Sequence, residues 1–271
     1  MPLVEVNGAQ VWIEDSGVPA GRPDAEVVVF GHGVLFSGRS FAAQAERLRA
    51  HYRCVRIDWR GQGRSPASRS GYDMDSLYLD AVAVIEQLGL GRVHWVGLSM
   101  GGFVGMRLAA RRPDLVRSLV LLDTSAGPEP PENVPRYRML TRVYGLLGFR
   151  PVRKPVERIM FGPTYLADPR SRAENDAWVA EVTACDKSGI TKAINGVVDR
   201  LPVDGEIGRI SAPTLVAVGA DDVATPLPRS EAIAAAVPGA RLEVIPDAGH
   251  CSSIEQPERV ADLLEKWLGA V

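Results

Sequence analysis

Ser99 stands in the stretch Val96-Gly97-Leu98-Ser99-Met100-Gly101-Gly102-Phe103-Val104-Gly105, with one glycine two residues before it and another two residues after. A serine hydroxyl is a weak nucleophile. It attacks a carbonyl when a base takes its proton and a third group orients that base. Acyl transfer is thus the chemistry this serine could perform, and it requires a histidine and an acid elsewhere in the chain. Small flanking residues matter because a nucleophile placed on a sharp strand-to-helix turn has neighbouring backbone pressed against it.

The chain holds four histidines. His94 falls inside an apolar run and reads as a packed residue, and His51 follows a helix-like segment and reads as a surface one. His32, in Phe30-Gly31-His32-Gly33, precedes the serine. His250, in Pro246-Asp247-Ala248-Gly249-His250, lies in a loop after the last apolar run and is the best base. For the acid, Val218-Gly219-Ala220-Asp221-Asp222 offers two carboxylates between serine and histidine, giving the chain order serine, acid, histidine. Asp222 is favoured, Asp221 is the fallback, and Asp123, after Leu122, ranks third. An oxyanion needs two amide donors roughly 3 Å away. Met100 N–H supplies one and Val34 N–H the other, with Leu35 N–H as the alternative.

The elements that must carry these groups follow from periodicity. Short β-branched runs alternate with longer stretches of helical period, which predicts an α/β fold with a mostly parallel, eight-stranded sheet covered by helices on both faces. Strands are expected at 4–6, 11–14, 27–30, 53–57, 93–96, 118–122, 214–218 and 241–245, the first two joined antiparallel by an Asn7-Gly8 turn. Helices are expected from Ser76 to Leu88, ended by Gly89, from Met100 to Arg111, and from Pro257 to Leu268. From Gly127 to Arg209 prolines cluster and helix-like segments succeed one another without strands. The domain reading is a core of residues 1–126 and 210–271 with a helical lid inserted at 127–209.

The chain has 271 residues, of which 46% are hydrophobic and 24% charged, enough to bury a substantial core. Its formal net charge of −2 gives no basic footprint for nucleic acid or an anionic membrane. No uncharged apolar run nears the roughly 20 residues that span a bilayer. A start without a basic, apolar leader points to the cytoplasm. Cys54, Cys185 and Cys251 are scattered and odd in number, which suggests reduced thiols rather than a disulfide or metal framework.

With these landmarks in order, the sequence resembles the α/β-hydrolase superfamily over nearly its whole length outside the lid. The resemblance rests on Gly31-His32-Gly33, Asp58-Trp59-Arg60-Gly61-Gln62-Gly63-Arg64-Ser65, Gly97-Leu98-Ser99-Met100-Gly101-Gly102, Asp222 and Gly249-His250. Gly61-Gln62-Gly63-Arg64 lacks the lysine of a phosphate loop and reads as a structural turn. Serine at the elbow, where the dehalogenase and epoxide hydrolase branches have aspartate, is similar to the esterase, enol-lactonase and cofactor-free haloperoxidase group. Val34 and Leu35 replace a proline common in the haloperoxidases. Cys251 stands where the carbon–carbon bond hydrolases usually have tryptophan.

The resemblance implies a carboxylic ester hydrolase working through Ser99, His250 and Asp222, without cofactor or metal, on a small-molecule ester or lactone. Substrate contacts are expected from Leu35, Met139, Leu140, Tyr144, Met160 and Trp178, with Leu146, Leu147, Phe149, Phe161 and Tyr165 as further lid candidates. Basic residues at Arg136, Arg138, Arg142, Arg150, Arg153, Lys154 and Arg158 read as a solvated face, or as the receptor for a lactone acid of the 3-oxoadipate enol-lactone kind. A slowly turning-over ligand sensor built on the same fold is the alternative from another class.

Overall fold

The computed structural model describes residues 3–271. Its strands are β1 (Leu3–Val6), β2 (Ala9–Asp15), β3 (Val27–Gly31), β4 (Arg53–Asp58), β5 (Val93–Leu98), β6 (Val116–Leu122), β7 (Thr214–Gly219) and β8 (Arg241–Ile245). They form one eight-stranded sheet in the order β1-β2-β4-β3-β5-β6-β7-β8. Each expected strand is present, most of them longer by a residue or two. β5 runs on through Gly97 and Leu98 because those residues pair in parallel with Leu121 and Leu122 of β6. β2 alone runs against its neighbours, pairing antiparallel with β1 and with β4, and every other pairing is parallel. The β1–β2 turn holds Asn7 at φ 45° and Gly8 at φ 77°, the left-handed pair a tight two-residue hairpin requires.

The helices are α1 (Ala42–Leu48), α2 (Met74–Gln87), α3 (Met100–Arg111), α4 (Val134–Leu147), α5 (Arg153–Met160), α6 (Pro163–Ala167), α7 (Arg172–Ala184), α8 (Lys187–Val198), α9 (Leu227–Ala236), α10 (Ser252–Glu255) and α11 (Pro257–Leu268). α2 starts two residues before the expected Ser76 because Asp73 caps it, accepting the Ser76 N–H at 2.9 Å. Five of these helices, α4 to α8, fill the chain between β6 and β7 with no strand among them. No helix among the described residues is long and apolar enough to cross a membrane.

Alternation along the strands splits the core in two. Val28, Phe30, Val96, Leu98, Val120 and Leu122 face the side covered by α1 and α11. Val27, Val29, Val93, Trp95, Leu119 and Leu121 face the side covered by α2 and α3. Strands buried on both faces read as near-continuous apolar runs, which is why the central strands β3, β5, β6 and β7 stand out in the sequence.

The strand order fixes where a ligand can sit. From β3 the chain turns one way to β4, whereas β5 lies on the other side of β3. The loops leaving the carboxyl ends of β3 and β5 therefore diverge and open a crevice, the usual ligand position in open α/β sheets. Val34 follows β3 and Ser99 follows β5.

Candidate active site

Ser99 occupies the single residue between β5 and α3, at φ 50° and ψ −110°, a conformation that costs a non-glycine residue of order 1–3 kcal/mol. The fold holds it there: Ser99 N–H donates to Leu122 O at 2.9 Å, and Ser99 O accepts from Thr124 Oγ1 at 2.8 Å. Glycine is needed beside it for close approach. A Cβ on Gly101 would overlap the Gly31 carbonyl, and one on Gly105 would meet the Trp95 indole at 2.5 Å. α3 thus lies directly on β3 and β5 and lifts the serine above the sheet.

His250 Nε2 lies 2.9 Å from Ser99 Oγ, and its Nδ1 lies 2.9 Å from Asp222 Oδ2. Ser99, His250 and Asp222 are each about 5% exposed or less. Asp222 accepts three further hydrogen bonds: Ala224 N–H and Thr225 N–H on Oδ1 at 2.8 and 2.9 Å, and Thr225 Oγ1 at 2.8 Å beside His250 on Oδ2. Burial alone would raise its carboxyl, yet His250 and these donors hold it below the usual carboxylate range. Burial alone would likewise lower the His250 imidazole, but the Asp222 charge and hydrogen bond carry it above its ordinary 6.5.

The competing acids do something else. Asp221 is exposed, and no hydrogen bond or ion pair joins it to His250. Asp123 is fully buried, accepts Gly219 N–H at 2.7 Å and Ser252 Oγ at 2.5 Å, and so ties β6 to β7 and to the start of α10. Burial, reinforced by the nearby Asp222 charge, pushes its carboxyl up.

On the opposite wall of the crevice, Leu35 sits at φ 70° with both of its backbone groups engaged. Its N–H donates to Gln62 Oε1 at 2.8 Å, and its carbonyl accepts from Trp178 Nε1 at 2.9 Å. The Leu35 amide is therefore occupied. Val34 N–H and Met100 N–H have no protein acceptor among the described residues, an uncommon condition for amides of residues this buried. Their residues flank Ser99 from β3 and α3. His32 is a staple beneath this loop: it accepts Trp59 N–H on Nε2 at 3.0 Å and touches Gly33 O through Nδ1 at 2.7 Å, while burial lowers it to about 4 and keeps it neutral. His94 is buried between Ser118 and Glu26, and His51 is exposed.

A cavity of about 90 Å³ opens beside Ser99 and His250. Leu35, Leu140, Tyr144 and Met160 line it, as does Phe149. α4 contributes a stripe one helical face wide, Tyr137, Leu140, Thr141 and Tyr144. Met139, on the other face of α4, is 58% exposed and outside the lining, and Leu146 and Leu147 are also turned to solvent. Trp178 is buried behind the wall rather than in it, its ring packed on Phe36, Phe149 and Phe161 and its N–H spent on Leu35. Phe161 and Tyr165 stack on each other and also lie outside the lining.

Three features escaped the sequence reading. Gln62, whose sequence context speaks only for a turn, pins the Leu35 amide. Glu255, five residues after His250, is buried and accepts the N–H groups of Gly162, Gly249 and Cys251 at 2.8, 2.9 and 3.0 Å, which joins the α5–α6 connection to the His250 loop. Glu129 and Arg200 line the cavity, although none of the seven basic residues singled out earlier does.

Known proteins share this architecture. The enol-lactonase from Burkholderia xenovorans LB400 superposes with a TM-score of 0.90 at 26% identity, covering 99% of this chain and 100% of its own. A thermophilic esterase from Thermogutta terrifontis gives 0.89 at 26% identity, covering 100% and 99%. A sequence relative from Stutzerimonas stutzeri (strain A1501), named "Putative carbamate hydrolase RutD", is 26% identical over 244 residues, 90% of this chain and 91% of its own. The family model for the alpha/beta hydrolase fold matches residues 26–257, and by that match, over most of its length, the chain belongs to the alpha/beta hydrolase family.

Proposed function

We propose that the chain is a serine hydrolase that cleaves carboxylic esters of small to medium, largely apolar substrates through an acyl-enzyme. The observation that carries this reading is the unbroken hydrogen-bonded line from Ser99 Oγ through His250 to Asp222, opening onto an apolar cavity. In the proposed reaction Ser99 Oγ attacks the ester carbonyl while His250 Nε2 takes its proton. Asp222 Oδ2 accepts the Nδ1–H, which fixes the tautomer with Nε2 free and then stabilises the imidazolium. The oxyanion forms next to the amides of Val34 and Met100, at the start of α3, where the helix N-terminus also favours negative charge. His250 returns the proton to the leaving alcohol. A water entering that place gives its proton to Nε2 and attacks the acyl carbonyl, and Ser99 leaves reprotonated.

In this reading residues 127–209 act as a cap, with α4, α5 and α8 supplying the walls that surround the acyl group. A lactone is an internal ester and passes through the same steps, and the likeness to the enol-lactonase favours testing it in parallel. A panel of 4-nitrophenyl esters and lactones, with Ser99→Ala as the blank, tests the proposal. Turnover by the unaltered chain and none by the variant is expected, and equal rates in both would refute it.

A further inference from the structure

We infer that Glu129 and Arg200 set the charge class of the substrate: paired in the cavity wall, they admit an uncharged ester or lactone and turn away one that carries a carboxylate. This rests on the ester-cleavage reading above and adds to it the selection of substrate by charge.

A free arginine or lysine facing the acyl group is the favoured receptor for a substrate carboxylate. Five of the basic residues on the helical segment, Arg136, Arg142, Arg150, Lys154 and Arg158, are exposed and outside the cavity. Arg138 is paired with Asp199, and Arg153 with Glu157 and Asp176, also outside it. The cation that does line the cavity is Arg200, and its charge is already met. Nη1 donates to Glu129 Oε2 at 2.8 Å and to Val197 O at 2.9 Å, and Nε donates to Gly127 O at 3.1 Å. The side chains of Arg200 and Glu129 are only 3% and 7% exposed, and the guanidinium lies 4.5 Å from the Phe103 ring centroid. Glu129 is held on its other oxygen by Asn133 Nδ2 at 3.0 Å.

A substrate carboxylate that displaced Glu129 from Arg200 would strand a buried anion, and breaking a buried pair in this way is strongly unfavourable. If Glu129 stayed, the incoming carboxylate would face it directly, with the Asp222 charge behind His250. The charge of Arg229 also acts on Arg200, and Arg229 does not line the cavity. Arg200 Nη2 has no hydrogen-bond partner among the described residues. It leaves a donor for an uncharged acceptor such as an ether, hydroxyl or second ester carbonyl.

Two substrates that differ in whether one carboxyl group is methylated or free test this: 4-nitrophenyl methyl adipate and mono-4-nitrophenyl adipate, with Ser99→Ala as blank. The wild type is expected to favour the methyl ester in kcat/KM by about tenfold or more, the scale of one unmatched charge in a partly shielded site. Glu129→Gln keeps an acceptor for Arg200 but frees its charge, and should shift that ratio toward the carboxylate by about tenfold or more, diminishing with salt. Adding Arg200→Gln should reverse the shift. A wild-type ratio near one or favouring the carboxylate overturns the inference, and this arm stands even if the variants fail to fold. An unchanged ratio in folded Glu129→Gln, with both substrates slowed alike, overturns it too and leaves the pair as a structural tie. Failure of the wild type to hydrolyse either substrate would instead sink the ester-cleavage reading, and the inference with it.

Discussion

Replacing Asp222 with asparagine should cost activity through a proton in the wrong place, and the surroundings of the side chain say why. Oδ1 accepts two backbone N–H groups, from Ala224 and Thr225 at 2.8 and 2.9 Å. Those donors would claim the amide oxygen of the asparagine and leave its NH₂ at the position of Oδ2, 2.9 Å from His250 Nδ1. An NH₂ there donates, so Nδ1 must accept, and the imidazole proton moves to Nε2, which faces Ser99 Oγ at 2.9 Å. The base then has no lone pair for the serine, and the imidazolium of the transition state has lost its counter-charge. The comparable substitution in a Ser-His-Asp protease costs about 10⁴ in kcat, and a drop of about 10³–10⁴ here corresponds to roughly 4–5.5 kcal/mol of barrier. The assay is steady-state hydrolysis of 4-nitrophenyl butyrate, with a melting curve on the same sample because asparagine preserves volume. A fall in kcat with KM nearly unchanged is expected. Activity within tenfold of wild type in a folded variant would refute the assignment of Asp222 and return Asp123 to consideration.

The acid limb of kcat/KM should lie above the ordinary histidine value of 6.5. His250 must be neutral to accept the serine proton, and Asp222 stabilises its charged form. Activity is therefore lost as pH falls through that raised value, and a profile between about pH 5 and pH 9 checks it. A limb centred well below 6.5 would contradict the placement of Asp222 beside His250. Gln62→Leu should lower kcat by about tenfold with little change in KM, because it frees the Leu35 amide and loosens the turn that carries Val34. A change confined to KM or to melting temperature would rule out a positioning role. Leu140→Trp should narrow the cavity and depress hydrolysis of hexanoate relative to acetate esters by about tenfold or more, at a cost of roughly 1–3 kcal/mol per excluded methylene. Met139→Trp, one residue away on the exposed face, should leave the chain-length profile as it is.

The centre of the sheet could be read from the chain because β3, β5, β6 and β7 are buried on both sides, which leaves runs such as Val27-Val28-Val29-Phe30 with no polar interruption. The elbow was legible for a related reason. Gly97 and Gly101 are required by backbone contacts that admit no side chain, so the constraint appears as residue identity. The choice between Asp221 and Asp222 was harder, since both follow β7 and only the turn geometry through Thr225 decides which one faces His250. The turn itself carries no glycine or proline whose identity would announce that geometry until Pro226.

The cavity walls were the least legible part, and Trp178 shows how composition misleads there. A large aromatic residue in a helical segment is as suited to lining a pocket as to holding the segment down, and its identity does not separate the two. What separates them is where the indole N–H finds its acceptor. In Trp178 it is the carbonyl of Leu35, a residue in the left-handed region whose N–H is taken by Gln62. The tryptophan thus acts from behind the wall: it fixes the turn that carries Val34, and it does so from a helix more than a hundred residues away in sequence. Glu129 and Arg200 are hidden for the same reason. Each is an ordinary charged residue, and only long-range packing, which joins the approach to α4 with the end of α8, turns them into a buried neutral pair in the cavity wall. The residues proposed to do the chemistry are constrained by local backbone, and local backbone is written in short motifs. Those proposed to choose the substrate are constrained by contacts between distant segments, for which no short motif exists.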